Sequence, residues 1–436
     1  MSRMQTPNII LIVGDTLRKD YSNNLDKLLD FNFYKVENAY AASPWTLPSH
    51  VSMFTGLLPY FHGVHEFFGI KHIASDFAEL STESLGKYDN LISMLKEENY
   101  KTIGISANWF ITPVFGFNFD ESYQVIFPPF LMFDNRYWNL TREYFSNYNS
   151  KRRYLSYLIK NKKFYEIKLL LKYGLSDNYF SRKIYFKFSN YLSKGCNLII
   201  KKLQEISFDT KTFLFINVME AHEPYSYKGL KKGINEYDYQ FLKSVFFSSA
   251  DDHVIKNYQE FYPIYAENSV NCIINIVSIL RNKINFDNTL VIVTADHGNH
   301  IGENGRVYHG YYLSDELVKV PLYVKYPKSI KPEQRLQGRT ISLTSIYHLV
   351  KSMLYNEIIP YNNVAITESY GPQYSMKTIK SFFNIDDSFI KKFYSHRIRI
   401  SKGDAYVIYD LEKDEIIEAT AKFPRELIDL IKNEFL

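Results

Sequence analysis

Four short apolar runs along the chain each end on polar or charged side chains. NIILIVGD is apolar over 9–13 and stops at Asp15. TFLFINVMEAHEPY is apolar over 213–218 and is followed by Glu220 and His222. NTLVIVTADHG is apolar over 290–294 and runs into Asp296 and His297. YKTIGISANWF ends near Asn108. Unbroken apolar runs of this length predict strands buried on both faces, as in a parallel sheet. Amphipathic patterns over 91–99 and 267–282 predict helices between them. Ligands of open α/β sheets bind outside the carboxyl ends of the strands, so four such ends predict one shared site.

Residues 130–202 break this rhythm. They are rich in Tyr, Phe, Lys and Asn, carry few turn signals, and read as an inserted set of helices. After Pro360 the texture changes again. RIRISKGDAYVIYDLEKDEIIEATA predicts two or three short strands, and PRELIDLIKNEFL predicts a closing amphipathic helix. The expected organisation is an α/β catalytic domain over 1–360, holding the helical insert, and a small α+β subdomain over 361–436.

Composition changes this picture little. Of the residues, 17% are aromatic, with 37 Tyr and 33 Phe, which reads as an AT-rich genome rather than an aromatic-binding function. The net charge of +5 is too mild for a dedicated nucleic-acid binder. One stretch stands apart: 151–174 holds eight Lys/Arg and one Glu. Such a segment is a solvated helix face, or a basic helix for an anionic membrane or polymer. The two cysteines, Cys196 and Cys272, have no CxxC spacing, so neither a disulfide framework nor a cysteine zinc site is expected. A reducing compartment is the simplest home. The first apolar run is too short for a signal peptide or membrane helix, and no later run reaches ~18 residues. The expectation is a soluble, cytoplasmic protein.

The chemistry lies at the strand ends. Asp15, Asp296 and His297 form a plausible divalent-metal set, and mixed oxygen and nitrogen donors suit Zn²⁺ or Mn²⁺ better than Ca²⁺. SPWTLPSHVSMFTG adds Thr46 in a loop that turns into a helix, with Ser49 as the expected N-cap. A threonine hydroxyl beside a cation and a helix N-terminus can act as an alkoxide nucleophile on a phosphoryl or sulfuryl group. His222 and His309 are candidates to contact the substrate, hold a second metal or protonate a leaving group. Arg18 faces either a carboxylate or the substrate anion. Glu220 reads as a support rather than a ligand. His50, His62 and His65 read as structural.

These pieces, in this order, resemble the alkaline phosphatase superfamily in its sulfatase-like branch. The resemblance rests on PNIILIVGDTLRKD, NAYAASPWTLPSHVSMFTGLLPYFHGVHE, MEAHEPY and VTADHGNHIGENG…YHGYYLSDELVKVPLYVKYP, and spans nearly the whole chain except the insert. It implies a central mostly parallel sheet flanked by helices. It implies Asp15, Asp296 and His297 as metal ligands and Thr46 at the nucleophile position, also on the metal. It implies His222 and His309 at substrate-contacting or second-metal positions, and Asn108 where some relatives place a substrate-facing group. The implied cofactor is Mn or Zn, with Ca and Mg left open. Sulfatases carry Cys or Ser at the nucleophile position and oxidise it to formylglycine. Threonine cannot yield an aldehyde, because its Cβ already bears a methyl group. His50 stands in place of the motif's Arg, and Thr16 where a second Asp is common. The resemblance therefore implies a hydrolase or transferase of phosphate (di)esters through a threonine nucleophile, on a small-molecule, glycan or lipid-linked anionic substrate. A sulfuric ester hydrolase and a non-catalytic anionic-glycan binder are the alternatives.

Overall fold

The computed structural model describes residues 7–126, 131–133, 151–176, 193–225, 235–328, 330–331, 334–336, 338–357, 363–420 and 425–435. Its centre is an eight-stranded sheet. Five neighbouring strands run parallel, in the spatial order Thr289–Ala295, Asn8–Gly14, Thr212–Val218, Lys101–Ser106 and Glu121–Ile126. Antiparallel strands finish both edges: Leu322–Lys325 and Tyr34–Lys35 on one side, Leu131–Phe133 on the other. The Thr212–Val218 and Thr289–Ala295 strands are buried at every position, which is why they read as unbroken apolar runs. Each of the four expected strands is present.

Helices cover both faces. The longest, Asp252–Lys283, begins fifteen residues before the expected start at 267 and passes through Pro263. A proline inside a helix reads as a breaker because it removes a backbone donor. Here Tyr258, Tyr262 and Tyr265 are buried around it, so tertiary packing on both sides overrides the local signal. Helix Cys196–Glu205 lies against this long helix.

Cys196 and Cys272 are joined in a disulfide across these two helices. This corrects the expectation of no disulfide. The partners are 76 residues apart and meet only because the chain returns from the insert onto the long helix. The pairing removes the argument for a reducing compartment, since disulfides persist mainly in oxidising ones. No helix among the described residues is long and apolar enough to cross a membrane.

The C-terminal region forms a four-stranded antiparallel sheet, Ala365–Ser369, Arg397–Lys402, Ala405–Asp410 and Glu415–Ala419. It has its own apolar cluster, built on Ile398, Ile400, Val407, Tyr409 and Leu411, with Ile428 and Phe435 from the last helix.

Candidate active site

Strand ends bring the acids together. Asp15 follows Asn8–Gly14, with its N–H on the Val218 carbonyl at 2.8 Å. Asp296 follows Thr289–Ala295, and its Oδ1 accepts the N–H groups of Thr16 (3.2 Å) and His297 (2.9 Å). Thr16 sits at φ 55°, a left-handed conformation that costs a β-branched residue about 1–3 kcal/mol. The bond to Asp296 and a 2.7 Å hydrogen bond from the Tyr262 hydroxyl to the Thr16 carbonyl hold it there. Gly298 is required by close approach: a Cβ would stand 2.0 Å from the Glu316 carbonyl oxygen.

Both acids are fully buried, and each keeps one oxygen without a hydrogen-bond partner: Asp15 Oδ1 and Asp296 Oδ2. Asp15 Oδ2 is held by the side-chain amides of Asn108 (2.7 Å) and Asn217 (3.3 Å). His297 Nδ1 lies 2.8 Å from the Gly298 carbonyl. That contact places the proton on Nδ1 and leaves the Nε2 lone pair facing inward, 3.4 Å from Asp296 Oδ2. One donor atom from each of Asp15, Asp296 and His297 lies within 4.8 Å of the others. Burial, and then the charge of Asp15, push Asp296 well above the ordinary carboxylate range. Burial lowers His297 to about 4. Two buried carboxylates, a neutral imidazole and no paired Lys or Arg among the described residues leave an uncompensated charge that a divalent cation would neutralise. The orphaned oxygens and the Nε2 lone pair fit such an ion, and mixed O/N donors favour Zn²⁺ or Mn²⁺.

Thr46 opens the helix Thr46–Thr55 and does not cap it; Trp45 is the N-cap, and no side-chain capping bond is made. The helix starts three residues before the expected Ser49. Pro48 falls in its first turn, where a missing N–H costs nothing. The Ser49 hydroxyl instead donates to the Asp296 carbonyl at 2.7 Å. One turn on, His50 donates from Nδ1 to the Thr46 carbonyl at 2.8 Å and lies 3.6 Å from Asp296 Oδ2. Thr46 is 3% exposed, and its hydroxyl is 3.2 Å from His297 Nε2, at the positive end of the helix dipole.

A second cluster adjoins the first. The rings of His297 and His309 are 4.5 Å apart, and those of His309 and His222 are 5.2 Å apart. Glu223 joins them: its Oε1 lies 3.2 Å from His222 Nδ1 and 3.7 Å from His309 Nδ1, and has no hydrogen-bond partner. Asn299 orders the group, donating to Glu223 Oε2 at 3.0 Å while its Oδ1 lies 3.4 Å from His309 Nδ1. Burial, together with the His297 and His222 rings, drives His309 well below the usual imidazole range, so it stays neutral.

Residues 7–354 of the chain match the Sulfatase family. The chain belongs to the Sulfatase family. Enzymes of this family are metal-dependent. No curated protein matches the sequence. Among solved structures, the chain is similar to the phosphonate monoester hydrolase of Agrobacterium radiobacter, at 14% identity and a TM-score of 0.59, covering 99% of this chain and 96% of that one. It is also similar to the phosphonate monoester hydrolase of Silicibacter pomeroyi, at 13% identity and a TM-score of 0.55, covering 98% and 94%. A 2-O GAG sulfatase is similar at 12% identity and a TM-score of 0.54, covering 99% and 90%. At these identities the likeness is one of fold.

Within this sulfatase fold, the residues singled out from sequence do not all meet at one site. Asp15, Thr46, Asp296 and His297 meet in one group, and His222 and His309 meet beside it. Asn108 reaches the group as a donor to Asp15. Arg18 is buried, and its guanidinium is engaged by Asp20, Glu303 and the Asn299 carbonyl. Glu220 accepts the N–H groups of Lys194 and Cys196, at the start of helix Cys196–Glu205. His62 lies between Ser52 and the Val64 N–H, and His65 stacks on Tyr370. Glu223, Asn217 and Asn299 were missed. Each lies at the same strand ends, close in sequence to Glu220, His222 or His297, and that adjacency was the available signal.

Proposed function

We propose that the chain is a metal-dependent hydrolase or transferase of phosphate esters that uses Thr46 as its nucleophile. The observation that carries this reading is the Thr46 hydroxyl, buried at a helix N-terminus, 3.2 Å from His297 Nε2 and beside two carboxylates with unpartnered oxygens. Asp15, Asp296, His297 and Thr46 would hold the divalent ion; when bound, it supplies charge neutralisation and a lowered pKa for the Thr46 hydroxyl. The Thr46 hydroxyl releases its proton to solvent and its oxygen attacks phosphorus in line, forming a phosphothreonine as the bond to the leaving oxygen breaks. His222, when Nε2 carries a proton as well as Nδ1, is suited to give that oxygen its proton. Its Nδ1 is turned to the Glu223 carbonyl at 2.7 Å, which frees Nε2 for the substrate. His309, held neutral, is suited to accept or position rather than to donate. Water, or an acceptor hydroxyl, then takes the phosphoryl group and restores the threonine. Threonine is a secondary alcohol, so oxidation would give a ketone and not the formylglycine of sulfatases. The test is a panel of p-nitrophenyl esters: bis-phosphate, phosphate, phenylphosphonate and sulfate. The reading expects phosphorus esters to be cleaved in preference; a preference for the sulfate would overturn it.

A further inference from the structure

The basic stretch singled out in the sequence forms two helices, Lys151–Lys160 and Phe164–Ser176, joined by a short turn. They pack on each other through Tyr154 and Leu158, with Ile167, Leu169 and Leu170 against them. This inward seam accounts for part of their apolar residues and leaves the rest outside. Leu155, Ile159, Phe164, Tyr165 and Leu171 are exposed by 40, 55, 67, 45 and 61%. They are five of the sixteen large exposed apolar side chains among the described residues, gathered within one short stretch. Helical spacing sorts them into two mixed stripes. Arg152, Leu155 and Ile159 share one outer face, and Phe164, Lys168 and Leu171 share the other. Arg153, Lys160 and Lys162 are exposed around them. Among the described residues, no carboxylate forms an ion pair with any of these five cations.

A solvated helix face would carry the charges without the large apolar side chains. A face for a soluble polyanion would need the cations alone. Phe, Ile and Leu interleaved with exposed Arg and Lys are the composition of a surface that enters the boundary of an anionic bilayer. We infer that the helix pair 151–171 is a docking surface for anionic lipid membranes. It places the protein at a bilayer without a membrane-crossing helix among the described residues.

The test is co-sedimentation of the full chain with vesicles of phosphatidylcholine alone, or of phosphatidylcholine mixed with the anionic lipid phosphatidylglycerol. The parent should bind the phosphatidylglycerol vesicles, more weakly as salt is raised. Reversing one exposed cation, as in Lys168→Glu, should weaken binding about fivefold or more. Replacing one apolar tip, as in Phe164→Ser, should weaken it about tenfold. All these side chains are exposed, so an unchanged melting temperature is expected in each variant. Hydrogen exchange across 151–171 should slow when vesicles are added. Absence of binding to phosphatidylglycerol vesicles at low salt would overturn the inference. So would parental binding by Phe164→Ser combined with Ile159→Ser and Leu171→Ser, which would instead assign the face to a soluble polyanion. Sedimentation and hydrogen exchange are both independent of catalysis, so they test the membrane surface even if the enzyme proves inactive on phosphate esters.

Discussion

Two groups of acids and histidine in this chain are alike in residue type and spacing. Asp15, Asp296 and His297 form one; Glu236, Asp251 and His253 form the other. Their surroundings separate them. In the second group, Gln240 donates its amide to both Glu236 Oε1 and Asp251 Oδ2 at 2.8 Å, and the Lys243 ammonium bonds Asp251 Oδ1. The charges there already have counter-groups, and Asp251 also serves as the N-cap of helix Asp252–Lys283. In the first group the acids are fully buried, one oxygen of each has no partner, and no Lys or Arg among the described residues is paired with them. Ligand-type residues at short distance are common where helices end. What distinguishes a metal centre is an electrostatic demand left unmet by the protein itself.

That contrast can be broken most forcefully at Thr46. Thr46→Ala should lower kcat by at least about 10³-fold, as loss of a nucleophile does. It should do so with little change in melting temperature, since Thr46 makes no capping bond; steady-state kinetics with thermal melts checks both. Next comes the ion. Asp296→Asn should abolish stoichiometric Zn or Mn binding, measured by elemental analysis, while Asp251→Asn leaves it at the parental level. Equal metal loss in both would erase the distinction between the clusters. Glu223→Gln should cost about 10- to 100-fold in activity, because it removes the charge shared by His222 and His309 without touching the first cluster. Asp251→Asn should lower stability by about 1 kcal/mol in denaturant titrations, with kcat unchanged.

Stability should also carry a pH slope. Burial lowers His62 to about 3, against 6.5 when unfolded. Between those values the unfolded chain binds the extra proton, so stability is full above pH 6.5 and falls as the pH drops towards 3. The contribution is up to about 1.4 kcal/mol per pH unit. Replacing His62 with Gln should flatten that slope in melts taken from pH 6.5 down to 4. An unchanged slope would mean that His62 does not carry it.

The central sheet was legible in the sequence because strands buried on both faces have no polar positions to blur the pattern, as at Thr289–Ala295. The strand-end residues were legible for the same reason: an acid directly after such a run stands at the mouth of the sheet, where an open α/β fold binds its ligands. Features made by distant partners were not legible. The Cys196–Cys272 disulfide depends on where the insert returns. The passage of helix Asp252–Lys283 through Pro263 depends on buried tyrosines. Thr46 as a first-turn residue, with no capping bond, was hidden by the serine three positions on, whose hydroxyl turned out to serve the Asp296 carbonyl. Glu223 sat inside a motif already in view, yet only its placement between His222 and His309 reveals it.

The central claim is that Thr46 becomes covalently linked to the group it transfers. The most direct measurement is mass spectrometry of the metal-loaded protein, acid-quenched during turnover of bis(p-nitrophenyl) phosphate and digested with protease. The account predicts a p-nitrophenyl phosphoryl adduct on the peptide containing Thr46, absent when EDTA is present and absent from Thr46→Ala. Turnover with no adduct on that peptide, or an adduct that persists in Thr46→Ala, would contradict it.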